Sequence, residues 1–434
     1  MDQPTPSADT KPKHSLLSRW HTTPLYLRII GALILGLLTG ILLLHFRDQP
    51  AIDAGHYNAA EKIRLTLEIP ARLIIKLLGA IAPPLILFAV IHALLHADVK
   101  PGVAGRLFYL LILNTTVAII IGLVVANTIK PGKHAKLQHP TTAPSLHGDV
   151  LKQILDQIPG SLLAPLVENN VIGVIIVAIA FGIALRRLRA QRDISPAARA
   201  VELFFDAIVV VLHWVIDLIP FAVFGVIASI VGREGFKPFV ALAWFVAAVL
   251  IGLFLQACYY LTRIKLRSWV SPLKLLKGTS DALFMAFSTD SSTATMPVTY
   301  DCLRKNVGLR EESASLGALV GSNFNNDGTA LYEAMSALFI SQLIGADLTL
   351  GQQLIVVVMS IIASVGAAGI PEAGLVTMTL VFHAVQLPTE YIAILITVDW
   401  FLDRSRTMIN VMGDMNVSCL LDGPTPPPTA KAAG

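Results

Sequence analysis

The sequence predicts an all-α polytopic membrane protein with about eight transmembrane helices plus two re-entrant helical hairpins, arranged as inverted repeats. Three observations carry that prediction. Of the 434 residues, 54% are hydrophobic and 14% charged, with a mean hydropathy of +0.68; a soluble domain carries roughly 25% charged residues. Apolar runs recur between Leu25 and Leu261, each near the length of about 20 residues that crosses a hydrocarbon core. Beyond Lys277 the runs shorten and are broken by Ser/Thr-, Gly- and Asn-rich stretches, the pattern of helices opened at membrane depth.

Met1 to Thr23 is polar, carries Lys11, Lys13 and Arg19, and reads as a cytoplasmic tail rather than a cleaved signal peptide. Spans are expected at Leu25 to Phe46, at Ile69 to Leu95 with a kink at Pro83-Pro84, and at Leu107 to Ile129. Lys130 to Gly160 reads as an exposed loop. Leu162 to Leu185 reads as a span broken at Glu168-Asn169-Asn170, followed by spans at Val201 to Val231 and Pro238 to Leu261. Arg186, Arg187, Arg189, Arg192 and Arg199 follow the fourth span; Arg263, Lys265, Arg267, Lys274 and Lys277 follow the sixth. The positive-inside rule puts both clusters, and with them the N- and C-termini, on the cytoplasmic side of the cell (plasma or inner) membrane. The net charge of +4 is accounted for by these loops, and nothing points to nucleic acid. Cys258, Cys302 and Cys419 lie far apart, which supports neither a disulfide framework nor a zinc site.

In the second half, Asp281 to Thr299 is too short and too polar to span and reads as a re-entrant hairpin with STDSSTATMP at its tip. Leu316 to Leu343 can span but is interrupted from Ser322 to Gly328. Gln353 to Val385 repeats the hairpin pattern, broken at Ser364 to Gly374. Hairpin plus interrupted helix therefore occurs twice, with a midplane site expected where the copies meet. The closing helix holds Asp399, Asp403, Arg404, Arg406, Thr407, Asn410 and Asp414 in an apolar setting. At about 100° per residue all but Arg404 share one sector about 100° wide. Charge inside a bilayer is costly, so such a stripe marks a substrate or ion path.

Opened helix ends offer N–H groups to a carboxylate and carbonyls to a cation. Ser291-Ser292-Thr293 and Gly366 to Gly369 are the candidate anion cradles. Asn325, Asp327, Asn410 and Asp414 are hard oxygen donors of the kind that sodium (Na+) takes. Arg406 offers a bidentate partner to a carboxylate, and Asp403, three residues away, suits an ammonium. Together they call for an acidic amino acid. Arg404, at the flank of the stripe, is expected to face the first hairpin and to form a salt bridge there with Asp290.

The motifs SSTATMPVT, NNDGTALYEA, GAAGIPEAGLVTM and DWFLDRSRTMINVMGD resemble those of the dicarboxylate/amino acid:cation symporter (glutamate/aspartate transporter) family. The resemblance covers nearly the whole chain and is sharpest from Ser288 onward. It implies that Arg406 holds the substrate's side-chain carboxylate and Asp403 its amino group. Thr407, Asn410, Ser291, Ser292, Thr329 and the backbone around Ile370 and Gly374 would complete the pocket. One sodium site would use Gly321, Asn325, Asn410 and Asp414, and a second Asn114, Thr115, Asn325 and Asp327. A third would use carbonyls of Asn323, Ser364, Val365 and Ala367. Glu333 matches a glutamate used for proton coupling.

The resemblance further implies a homotrimer in lipid working by an elevator-type movement. Residues 24–270 would form mainly scaffold and trimerisation helices, with spans 3 and 6 partly in the transport domain. Residues 271–422 would form the transport core (hairpin 1, interrupted helix 7, hairpin 2 as the extracellular gate, helix 8), and 423–434 a tail. The chain departs from the family at Asn326, where a Met is usual, at Asn323 for a Thr, and at Leu111 for a Tyr. Each change bears on the sodium sites.

The function expected is cation-coupled symport of L-aspartate or L-glutamate, without enzymatic activity. The nearest alternative is a proton-coupled acidic amino acid or C4-dicarboxylate symporter of the same fold. An intramembrane serine hydrolase would need a general base, and neither hairpin tip contains His or Lys. A pure anion channel would not need paired amine- and carboxylate-binding groups.

Overall fold

The computed structural model describes residues 23–46, 59–96, 101–134, 159–168, 170–366 and 373–427, and within them every regular element is a helix. The first half supplies α1 (Leu25–His45), α2 (Ala59–Leu67), α3 (Ile69–His96), α4 (Pro101–Ile129), α5 (Val171–Leu188), α6 (Ser195–Ile216), α7 (Ile219–Glu234) and α8 (Lys237–Arg267). Five described segments, Leu27–His45, Lys62–His92, Gly105–His134, Ser195–Arg233 and Pro238–Arg267, are long and apolar enough to cross a membrane. Pro83 and Pro84 lie inside α3 without ending it. The expected break at residues 168–170 is present: Asn170 caps α5, its side chain accepting from the Gly173 N–H. The loop expected from Lys130 to Gly160 lies largely outside the described residues. The single span expected over Val201 to Val231 is instead two helices, parted at Asp217-Leu218. Pro220 explains the difference, because it lacks the N–H that would continue α6 and is suited to the first turn of α7.

Close helix contact in this half relies on residues without side chains. α1 packs along α7; a Cβ on Gly36 would lie 2.8 Å from the Phe224 carbonyl oxygen, and Gly225 of α7 meets the Leu67 carbonyl at the end of α2.

The second half is shorter-jointed: α9 (Pro272–Gly278), α10 (Ser280–Thr289), α11 (Ser292–Asp301), α12 (Glu311–Ser315), α13 (Gly321–Phe324), α14 (Asp327–Leu343), α15 (Leu350–Gly366), α16 (Ala373–Ala384) and α17 (Ile392–Asp422). The joints fall where the polar interruptions predicted them. α10 ends on Asp290 in the left-handed conformation (φ 59°) and α11 starts at the Ser291 cap. α13 and α14 are parted at Asn325-Asn326, preceded by a widened π turn over Leu316–Val320, a distortion that recurs at functional sites. α14 is buried along its whole length. α17 is the central strut, packed on α8, α10, α14 and the segments around them, and buried over most of its 31 residues. The chain thus encloses its most polar helix.

Gly225→Val should cost about 1–3 kcal/mol of stability through overpacking, read as a lower unfolding temperature. Gly31→Ala, which meets nothing within 4 Å, should be near neutral in the same assay.

Candidate functional site

Arg406 is fully buried, and its charge is met from three sides. Its Nη1 donates to Asp399 Oδ1 at 2.8 Å, and its Nη2 donates to Asp403 Oδ1. Its guanidinium carbon lies 4.0 Å from the centre of the Tyr332 ring on α14. A charge removed from water must be paired in this way or it destabilises the fold by several kcal/mol. The backbone closes the remaining side: a Cβ on Gly374 of α16 would lie 3.1 Å from Arg406 Nη2 and 3.3 Å from Thr329 Cγ2. Gly328 permits the same approach from α14, where a Cβ would meet the Arg406 carbonyl oxygen at 2.6 Å.

The other residues expected to hold substrate gather around this node. Asn410 accepts from the Gly328 N–H at 2.8 Å through Oδ1, and its Nδ2 donates to Thr329 Oγ1 and Asn326 Oδ1, each at 3.4 Å. Thr407 donates to Asp290 Oδ1 at 3.4 Å, which brings the first hairpin to the same place. Ser291 caps α11 by accepting from the Ala294 N–H, and Ser292 donates to the Ser322 carbonyl at 3.0 Å. These hydroxyls hold the hairpin in shape. Ile370 and Ala367, the side chain of Val365 and the tip Ala367 to Gly369 lie outside the described residues. Glu333, fully buried, accepts from Thr377 of α16 through Oε1, and its Oε2 has no partner.

Arg404 does face the first hairpin, but its partner is backbone rather than the Asp290 carboxylate. Its Nη1 donates to the Phe287 and Ser288 carbonyls at 2.9 Å each. The last carbonyls of α10 lack intrahelical donors, and a basic side chain such as Arg404 can satisfy them. Asp290 is only 7% exposed, so it is not a solvated charge.

The oxygen-rich residues form three groups. In the first, Asn325 Nδ2 donates to Asp414 Oδ1 at 3.1 Å and to the Asn410 carbonyl at 3.2 Å, while Asn325 Oδ1 has no partner. Gly321 lies against the Asp414 carboxylate. In the second, Asp327 accepts from Thr115 at 2.6 Å and from Tyr260, and Asn114 Oδ1 accepts from Arg263. In the third, the Ser364 carbonyl accepts from Asn326 Nδ2 at 3.0 Å. The Asn323 side chain turns back to the Leu319 carbonyl at 3.2 Å.

Sequence reasoning missed Tyr332, Thr377, Tyr260 and Arg263. Gln256, Tyr260 and Arg263 recur at i, i+4 and i+7 on an otherwise apolar helix, a spacing that marks one polar face. Arg263 was read as a loop charge, yet it lies within α8 and turns inward to Asn114. Asn114 and Asn416, each in a glycosylation sequon, are fully buried and bonded to each other at 3.3 Å.

Arg404→Met removes two charge-assisted bonds to hairpin backbone. It should lower stability by about 1–2 kcal/mol, read as a lower unfolding temperature of the purified protein.

Comparison with known proteins agrees with this geometry. The chain matches the family model described as the sodium:dicarboxylate symporter family over residues 25–423. Excitatory amino acid transporter 3 of Mus musculus is 29% identical over 452 residues, covering 90% of this chain and 83% of its own length. Excitatory amino acid transporter 4 of Mus musculus is 38% identical over 252 residues, 56% of this chain and 44% of its own. An excitatory amino acid transporter of Caenorhabditis elegans is 37% identical over 251 residues, 56% of this chain and 49% of its own. A motif-bearing polar helix enclosed by interrupted helices, and a match that runs from the first described helix to the last, place the chain in the sodium:dicarboxylate symporter family.

Proposed function

We propose that the chain is a secondary active transporter that carries an acidic amino acid, L-aspartate or L-glutamate, together with cations. The observation that carries this reading is the buried charge. Asp290, Asp327, Glu333, Asp399, Asp403 and Asp414 are each at most 7% exposed; of the two equally buried cations among the described residues, Arg64 is paired with Glu68 at 2.7 Å, and Arg406 is the one that meets these acids. Adding a substrate of net negative charge to that excess is unfavourable unless cations enter with it. Sodium at Asn325, Asn410 and Asp414 and a proton on Glu333 are the available compensations.

The Arg406–Asp403 pair gives the mechanism of selection. A zwitterion with an extra acid splits the pair: its side-chain carboxylate takes Arg406 and its ammonium takes Asp403, while Asp399 keeps the guanidinium oriented. Thr407, Asn410 and Thr329 then hold the amino acid core, with Ser292 and the backbone at Ile370 and Gly374 closing over it. A dicarboxylate without an amine leaves Asp403 buried and unpaired, and a neutral amino acid leaves Arg406 so. Closure of the second hairpin over Arg406 would commit the substrate. Movement of residues 271–422 against a trimeric scaffold built from residues 24–270 would then carry it across, with both termini on the cytoplasmic side.

The direct test is uptake of labelled L-aspartate into proteoliposomes under an imposed Na+ or H+ gradient, with counterflow to separate a carrier from a channel. Arg406→Cys should abolish acidic substrate uptake, a loss of at least about 100-fold from one buried charge-assisted pairing. Aspartate affinity unchanged in that variant would remove Arg406 from the site.

Glu333 favours a proton as a second coupling ion, because one of its buried oxygens has no partner. If it carries a proton inward, an acidic exterior accelerates net uptake. Glu333→Gln, which keeps an acceptor for Thr377, should remove that acceleration and leave substrate exchange intact. A pH profile equal to that of the unaltered protein would make Glu333 a packing residue.

A further inference from the structure

We propose that the crevice between α3 and α16 binds the headgroup of a phospholipid carrying a phosphodiester and a primary ammonium, of the phosphoethanolamine kind. The inference rests on the chain spanning a membrane and not on what it transports.

A cavity of about 530 Å³, open to one side, is lined by α3, by α16 and by the turn Thr389–Tyr391 that precedes α17. That volume lies in the range of small-molecule sites. α3 packs on both α16 and the turn. Arg72, Ile75, Lys76 and Gly79 all line the cavity, and their spacing of three, four and seven residues puts them on one face of α3. Ile75 is buried and supplies an apolar wall, while a Cβ on Gly79 would meet nothing within 4 Å. α3 has 28 residues, whereas about 20 cross the hydrocarbon, so its first turns, with Arg72 and Lys76, reach the level of the lipid headgroups.

The charges of the lining select the occupant. Glu68 is a shared acceptor: Arg64 donates to it at 2.7 Å, Arg72 Nη2 at 2.8 Å and the Ser229 hydroxyl at 2.5 Å. One carboxylate thus serves two guanidiniums, and the Arg72 fork keeps donors beyond the one given to Glu68. Lys76, one turn further on, enters no ion pair among the described residues. Two such cations between membrane helices suit a phosphate. The same cavity holds an acid, Glu390, next to Thr389. A headgroup with negative charge alone would leave Glu390 facing a like charge. An ammonium carried on a short arm from the phosphate meets it, with N–H groups for both Glu390 and the Thr389 hydroxyl. A quaternary ammonium has no N–H to give.

The test uses the purified full chain in detergent, titrated with dioleoyl phosphatidylethanolamine, phosphatidylglycerol or phosphatidylcholine. Unfolding temperature and, by native mass spectrometry, retained lipid are the readouts. The ethanolamine lipid should stabilise saturably at concentrations at least about five-fold below the other two. Lys76→Gln should weaken the ethanolamine and glycerol lipids alike, about five-fold. Glu390→Gln should weaken the ethanolamine lipid alone. Gly79→Leu, which fills the cavity and changes no charge, should abolish the preference without lowering the unfolding temperature of the lipid-free protein. Equal stabilisation by all three lipids overturns the proposal. So does a preference for the glycerol lipid in the unaltered protein, or an ethanolamine preference that survives Lys76→Gln and Gly79→Leu. None of these readouts depends on aspartate uptake, so failure of the substrate assignment and failure of the lipid site are told apart.

Discussion

Arg406 is a full positive charge with no exposure to solvent, inside a chain that is otherwise built to sit in hydrocarbon. The rest of the structure follows from making that charge tolerable. Asp399 sits seven residues before it and Asp403 three residues before it, so a single helix carries both counter-charges on the face of the guanidinium. Tyr332 supplies a ring from a second helix and Gly374 a bare backbone from a third. Removing either acid would leave a buried, partly uncompensated ion, which is more disruptive than replacing the whole set by apolar groups. An arrangement of this kind is weak as a stability device. On the function proposed for the chain, its value would lie in being exchangeable with a ligand of matching charges.

The helices around this node are open for a related reason. Helix ends expose N–H and carbonyl groups that hydrocarbon cannot satisfy. Here side chains of α17 and of Asn326, just before α14, take them up. Arg404 satisfies the end of α10, Asn326 that of α15, and Asn410 receives the Gly328 N–H at the start of α14. The first and the last of these contacts join α10 and α14 to α17, and Asn326 joins the start of α14 to α15. A change at Arg406 and its partners on α17 therefore reaches α10 and α14 through direct bonds rather than through distance.

Much of this was legible in the sequence because membrane burial penalises polar residues so strongly. The stripe from Asp399 to Asp414, the interruptions at residues 290–291 and 325–326, and the break at Asn170 all appear where polarity disturbs an apolar run. What was not legible depends on partners distant along the chain. Nothing local in Leu331-Tyr332-Glu333 says which of its polar groups meets Arg406 and which meets Thr377. Arg263 counted as a topology marker, and only the approach of α8 to α4 turns it inward. Arg404 was matched to the nearest opposite charge, whereas unsatisfied carbonyls at the end of α10 made the stronger claim. The break at Asp217 was missed because Pro220 lies in a run that is uniformly apolar, and a helix and its continuation look alike there.

The central claim is that the buried excess of acids makes binding of an acidic amino acid conditional on cations. Equilibrium binding of labelled L-aspartate to the purified protein tests it without any requirement for transport. With choline as the only cation at alkaline pH, binding should be weak. Adding sodium or lowering pH should tighten it at least about ten-fold, a coupling near 1.4 kcal/mol. Aspartate binding of equal strength across sodium concentration and pH would contradict the account.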